Sequence, residues 1–206
     1  MGRPKGDRKK EHYYQAAKKQ GYRSRSAFKL KQVAASYDLL SGVNKVLELC
    51  CSPGGWTQVL RELDGGLQIV AVDLEPILPV QDVIFIRGDI TSPETQSEIQ
   101  RATGGSVDLV LSDCSPRVSG NWDLDVARQL FLAEVTMDLG MRLLGPRGKV
   151  FAKVFQGPGF QEFIESVRLR YSSVRFVKPD ASRRTSAEIY ILASCPRKKQ
   201  SVVNAN

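Results

Sequence analysis

Val46-Leu47-Glu48-Leu49-Cys50-Cys51-Ser52-Pro53-Gly54-Gly55-Trp56 is the stretch that decides the fold. A short apolar run enters a tight turn built on one proline and two glycines, and from Trp56 to Leu63 apolar residues return at helical spacing. A buried strand that turns straight into a helix is the opening unit of an α/β sheet. Outward from it the alternation repeats: Gln68–Val72, Val83–Ile86, Val107–Leu111 and Lys149–Val154 read as further strands, all apolar enough to be buried on both faces. Helices are expected at Ser26–Leu39, with Ser24 or Ser26 as cap, and at Pro93–Ala102, Val126–Leu144 and Gly159–Tyr171, the third of these stopped by Gly145-Pro146. Val174–Val177 and Glu188–Ala193 leave no room for a helix between them and should pair antiparallel. The expected architecture is a Rossmann-like, doubly wound α/β sheet with helices on both faces and a C-terminal antiparallel strand.

The 206 residues, 42% of them hydrophobic, suit a single globular domain. That domain is placed at residues 21–196, between a basic, flexible arm at 1–20 and a polar tail at 197–206. No apolar run approaches the ~18 residues of a membrane helix, and the basic start lacks a signal peptide's apolar stretch, so a soluble, cytoplasmic protein is expected. Gly6 stands where a myristoylation signal requires Ser or Thr, and no lipid anchor is implied. Cys50, Cys51, Cys114 and Cys195 form no Cys-x-x-Cys pair and are expected to be free thiols, the first two as small core fillers. With His12 as the single histidine, no metal site is expected.

Charge is unevenly distributed. The net charge is +8, and residues 1–29 carry all of it, with ten Lys and Arg against Asp7 and Glu11. Such asymmetry points to a polyanionic partner on which the arm would order, a solvated tail being the alternative.

In an open α/β sheet, ligands bind beyond the carboxyl ends of the strands, where helix N-termini present free amides. The loop after the first strand has neither the Gly-x-Gly-x-x-Gly of nicotinamide sites nor the Gly-Lys-Ser/Thr of a P-loop. Its glycines would let backbone approach a ligand closely. Asp73 ends the second strand where a carboxylate can accept ribose hydroxyls, and Asp89 and Asp113 follow the next two strands. Each aspartate alone is an ordinary turn or cap residue, but the three together mark one edge of the sheet as a nucleoside site.

Five blocks in order then give the chain its resemblance to a known family. They are Arg23-Ser24-Arg25-Ser26-Ala27-Phe28-Lys29-Leu30, Ser52-Pro53-Gly54-Gly55-Trp56, Ser112-Asp113-Cys114-Ser115-Pro116, Lys153-Val154-Phe155-Gln156-Gly157, and Lys178-Pro179 through Glu188-Ile189-Tyr190. The sequence resembles the FtsJ/RrmJ family of ribose 2′-O-methyltransferases, of class I methyltransferase fold. The resemblance implies S-adenosylmethionine as cofactor, contacted by Gly54, Trp56, Asp73, Asp89 and Asp113. It also implies a catalytic tetrad of Lys29, Asp113, Lys153 and Glu188. Two departures stand out: Glu48 replaces the family's usual Asp, and Cys50-Cys51-Ser52 replaces smaller Gly and Ala residues.

Methyl transfer to a sugar hydroxyl needs alignment of oxygen, methyl and sulfur, and help in removing a proton. By resemblance Lys153 is the leading base, although a lysine must lose its own proton first. The alternative division has the lysines orient the hydroxyl and stabilise its negative charge. RNA would be held through phosphates by the N-terminal arm, Arg117, Lys178, Arg183 and Arg184, in a salt-sensitive way. Tyr13, Tyr14 and Tyr22 would either stack on bases or pack within the protein. The expected substrate is a uridine of large-subunit ribosomal RNA, with transfer RNA as runner-up, and the protein is expected to act as a monomer. A non-catalytic ribosome-assembly factor would use the same basic arm but has no need of the tetrad. A small-molecule methyltransferase or a nucleotide-binding oxidoreductase shares the sheet but not the arm.

Overall fold

A computed structural model describes residues 5–182 and 186–197. The polar tail from residue 198 onward, Gly2, and the RNA-contact candidates Arg183 and Arg184 lie outside the described residues.

Among the described residues seven strands form one sheet: β1 (Lys45–Leu49), β2 (Gln68–Asp73), β3 (Val83–Arg87), β4 (Val107–Ser112), β5 (Leu144–Phe155), β6 (Tyr171–Val177) and β7 (Glu188–Pro196). Their order is β3-β2-β1-β4-β5-β7-β6. β1 through β5 pair in parallel, and β7 lies antiparallel between β5 and β6. The antiparallel strand, last in sequence, is thus inserted into the sheet, and β6 forms the edge. β6 and β7 pair antiparallel as expected, although β6 starts three residues earlier, at Tyr171, and β7 runs on to Pro196.

Period-two alternation divides the core between the two faces of the sheet. Leu47, Leu49, Val110, Val150, Ala152 and Val154 pack beneath α4 (Pro93–Thr103), α5 (Trp122–Leu143) and α6 (Phe160–Arg170). Val46, Leu109, Leu111 and Phe151 pack beneath α2 (Ala27–Tyr37) and α3 (Gly55–Leu63). Helix ends follow local chemistry: Ser92 accepts from the Thr95 N–H and Gly104 closes α4 in the left-handed region, while Asn121 caps α5 through the Leu124 N–H. Neither Ser24 nor Ser26 caps α2. Their hydroxyls bond each other at 2.6 Å, and no side-chain cap bond is made.

Three expectations need correction. The edge strand β3 has a neighbour on one side only, and Ile84 is 53% exposed, so this strand is not buried on both faces. Residues expected to order only on RNA form α1 (Lys5–Lys19). Its narrow apolar stripe explains the docking: Ala17 is buried, the Tyr13 ring meets Phe28 at 5.4 Å, and the Tyr13 hydroxyl accepts from Gln32 Nε2 at 3.0 Å. Finally, α5 ends at Leu143, and Leu144 already pairs with Val107, so β5 begins before the Gly145-Pro146 stop signal.

Candidate active site

Side chains at alternate positions of β4, β5 and β7 face α2. At the edge where β4 and β5 end, β7 begins, because it runs the opposite way: Glu188 pairs with Phe155 and Tyr190 with Lys153. Chain direction therefore brings residue 188 beside residues 113 and 153, while α2 lays Lys29 across them.

Lys29 Nζ donates to Glu188 Oε1 at 2.7 Å and to the Tyr190 hydroxyl at 2.9 Å. Tyr190 in turn donates to Asp113 Oδ1 at 2.6 Å. Lys153 Nζ donates to the Asp113 carbonyl at 2.7 Å and lies 3.2 Å from Asp113 Oδ1. Ser182 Oγ adds a bond to Glu188 Oε1 at 2.9 Å. All four residues expected from the sequence are joined in one network, and Tyr190, named only as part of a motif, is the link between its halves. Its period-two position after Glu188 is the signal by which it could be found, since both must face the same side.

The electrostatics favour a charged centre. Burial pushes the Asp113 carboxyl up, but the Lys153 and Lys29 ammonium groups and the bonds from Tyr190 and Lys153 outweigh it, holding it below the usual carboxylate range. Burial first, then the charges of Asp113 and Glu188, push the Tyr190 phenol well above its ordinary value, so it remains a donor. Beside the network, a pocket of about 160 Å³ is lined by Arg25, Lys29, Ala181, Ser182, Ser186 and Glu188.

The expected cofactor residues divide into three kinds. Asp73 accepts from the Ser52 N–H at 2.8 Å through one oxygen and from the Glu75 N–H at 2.9 Å through the other, which fixes its plane and leaves each oxygen a further lone pair. Asp89 spends Oδ1 on the Thr91 N–H and hydroxyl, both at 2.8 Å, as a turn residue before α4. Trp56 is a core residue by its side chain: the indole donates to the Ser26 carbonyl at 2.8 Å and stacks on Phe151. Its backbone N–H lies in the first turn of α3, where intrahelical acceptors are lacking. Gly54 has φ 98°, and an added Cβ would lie 2.6 Å from Arg23 Nη1. A Cβ on Gly55 would collide with Ser24 Oγ, so Gly55 is favoured by close packing, whereas Gly54 is favoured by its left-handed backbone, the Arg23 side-chain end being able to move aside. An oriented carboxylate at the end of β2, the Gly55 and Trp56 N–H groups opening α3 and the charged Asp113 following β4 are the groups that suit a nucleoside with a charged amino-acid end.

Two of the thiols expected to be free are not. Cys50 and Cys114 form a disulfide, with Cα atoms 5.0 Å apart. The cause is topological: Leu49 pairs with Ser112 across adjacent strands, so the residues just beyond that pair come together although 64 positions separate them in sequence. Cys51 and Cys195 remain thiols, and burial pushes the Cys51 thiol far up, which leaves it unsuited to nucleophilic work. Among the tyrosines, Tyr13 and Tyr22 pack on Phe28 and Tyr14 is exposed. Arg117 and Lys178 are exposed, the latter donating to the Ser186 carbonyl. Among the described residues no helix is long and apolar enough to cross a membrane.

Comparison with known proteins gives the family. The chain is 46% identical over 183 residues to the Ribosomal RNA large subunit methyltransferase E of Methanothrix thermoacetophila, covering 89% of this chain and 71% of that one. The protein of the same name from Archaeoglobus fulgidus is 42% identical over 190 residues, covering 92% and 98%. A crystal structure of a ribosomal RNA methyltransferase from Plasmodium falciparum superposes with a TM-score of 0.76 at 22% identity, over 86% of this chain and all of that one, a likeness of fold. The family model described as FtsJ-like methyltransferase matches residues 22–195, and the chain belongs to that family.

Proposed function

We propose that this protein transfers a methyl group from S-adenosylmethionine to a ribose 2′-hydroxyl of ribosomal RNA, with a uridine of the large-subunit RNA as target. The observation that carries the reading is the unbroken contact chain Glu188–Lys29–Tyr190–Asp113–Lys153, with only β1 between its β4 member and the strand that ends in the oriented Asp73 carboxylate. The names of the relatives support the choice of RNA.

The cofactor supplies an electrophilic methyl on a sulfonium. Asp73 binds ribose hydroxyls, and the N–H groups opening α3, with Gly54 before them, line the cofactor's path toward Asp113. Asp89 closes the far side through its turn. Lys153 is paired with Asp113 and Lys29 with Glu188, so both act as ammonium donors. They hold the acceptor hydroxyl in line and stabilise the negative charge that grows on its oxygen as the proton leaves to solvent. This pairing favours the orienting division of roles over Lys153 as a neutral base. The target strand enters beside Arg25 and Ser182, and its phosphates meet the basic arm.

The test is transfer of radiolabelled methyl to large ribosomal subunits, free ribosomal RNA and transfer RNA, followed by digestion to nucleosides. Label is expected as 2′-O-methyluridine in the ribosomal substrates. Lys153→Ala should lower turnover by roughly 10²–10³-fold with cofactor affinity kept, whereas Asp73→Ala should weaken the cofactor first. No label in any RNA, despite cofactor binding, would point instead to an assembly factor.

A further inference from the structure

β5 outlasts its neighbour. The β4–β5 ladder runs to the pair Ser112↔Ala152 and stops there, because β4 turns away to place Asp113 against Lys153. On its other side β5 stays paired with β7 as far as Phe155. The Lys153 carbonyl and the Phe155 N–H on the vacated side would be buried without partners, a costly arrangement.

Gln129 of α5 fills that gap. Its Nε2 donates to the Lys153 carbonyl at 2.6 Å, and its Oε1 accepts from the Phe155 N–H at 2.9 Å. A carbonyl at one position and an N–H two positions on are the groups a parallel strand residue engages. The carboxamide therefore stands in for the residue of β4 that would have come next. Gln129 is fully buried. It approaches with the α5 face of the core, whereas the Lys153 side chain projects to the α2 face, so the lysine is held from behind and points forward to Asp113.

We infer that Gln129 is a positioning residue for methyl transfer, fixing the backbone from which Lys153 reaches the acceptor hydroxyl. It acts through Lys153 without touching substrate, and the inference rests on the role given to Lys153 above. The strand separation that makes the site needs such a surrogate, since β4 cannot both pair with residue 154 and deliver Asp113 to the lysine.

Methyl-transfer kinetics on large ribosomal subunits, with cofactor affinity measured by calorimetry, test it in the full-length protein. Gln129→Met keeps length and volume but removes both bonds. It should lower kcat roughly 10–100-fold, the scale of a small misplacement of a reacting group, with the dissociation constant for S-adenosylmethionine and the KM for subunits within about twofold of wild type. Tyr171→Phe is the control: it deletes a buried hydroxyl that bonds the Met137 carbonyl of the same helix at 3.0 Å, and should lower Tm while leaving kcat unchanged. Gln129→Glu separates positioning from packing by pH. Its carboxyl, once protonated, can donate to the Lys153 carbonyl as the amide does, so relative to wild type its kcat should recover as pH falls. Wild-type kcat in Gln129→Met, or a fall no larger than in Tyr171→Phe, overturns the inference, as does a Gln129→Glu profile parallel to wild type. Should neither Gln129 variant fold, hydrogen exchange in the wild type decides: a Phe155 amide protected like its β5 neighbours supports the pairing, and one that exchanges freely overturns it. Full activity in Lys153→Ala would overturn the reading of the site itself, whereas an inactive Lys153→Ala with a normal Gln129→Met sinks only the present inference.

Discussion

Glu48 is 1% exposed in the middle of β1, and its carboxyl accepts from the Thr57 hydroxyl at 2.7 Å. Burial pushes this carboxyl up to about 8, against the opposing bonds from Thr57 and with a further push from Asp113 and Asp73. Because the folded value lies above the unfolded one, the stability contributed by the protonated form is complete below the unfolded value of 4.5 and is lost as pH rises through about 8. Glu48→Gln should therefore flatten the fall of Tm between about pH 5 and 9 and raise Tm at the alkaline end. Equal slopes in the two proteins would show Glu48 ionised in the fold. At this scale the sequence was legible where residue type and motif coincide: Lys29, Asp113, Lys153 and Glu188 converge as expected. Trp56 was harder to read, because a motif does not say that its side chain is taken up by the core. Gln129 was invisible, since nothing in a helical sequence reveals which strand end its amide will meet.

Elements were legible as far as their signals are local. Strands β1, β2 and β4 and the capped helix α4 fall within a residue or two of expectation, since a continuous apolar run or a Ser-Pro start suffices to define them. The pairing of β7 between β5 and β6 is a long-range fact that no local signal carries, and it is what sets Glu188 and Tyr190 against Lys153. α1 was misread because its apolar stripe is narrow and its charge high, a composition shared with disordered segments. Docking on α2 through Tyr13 and Ala17 changes the expectation for its removal. A protein lacking residues 1–20 should show a higher dissociation constant for RNA and a shallower dependence of binding on salt, measured by filter binding from low to moderate ionic strength. It should also lose some Tm, because the Tyr13–Phe28 and Tyr13–Gln32 contacts go with the helix. An unchanged salt slope would remove α1 from the RNA interface.

For the whole molecule, the α/β class was readable because alternation and turn chemistry repeat along the chain. The disulfide was not, because it depends on which strands become neighbours. Its presence gives the protein a covalent topology. The bond between Cys50 and Cys114 makes a closed ring of the chain that holds α3, β2, β3, α4 and β4, with both outer portions attached to it as tails. The connection between β2 and β3 lies on that ring and is open to solvent, Leu74 being 60% and Leu78 72% exposed. A single proteolytic cut there would linearise the ring without dividing the molecule. Limited proteolysis should thus yield a nicked protein that keeps its full mass on a denaturing gel and separates into two pieces only after a thiol reductant is added. Two pieces without reductant would mean that the ring is open.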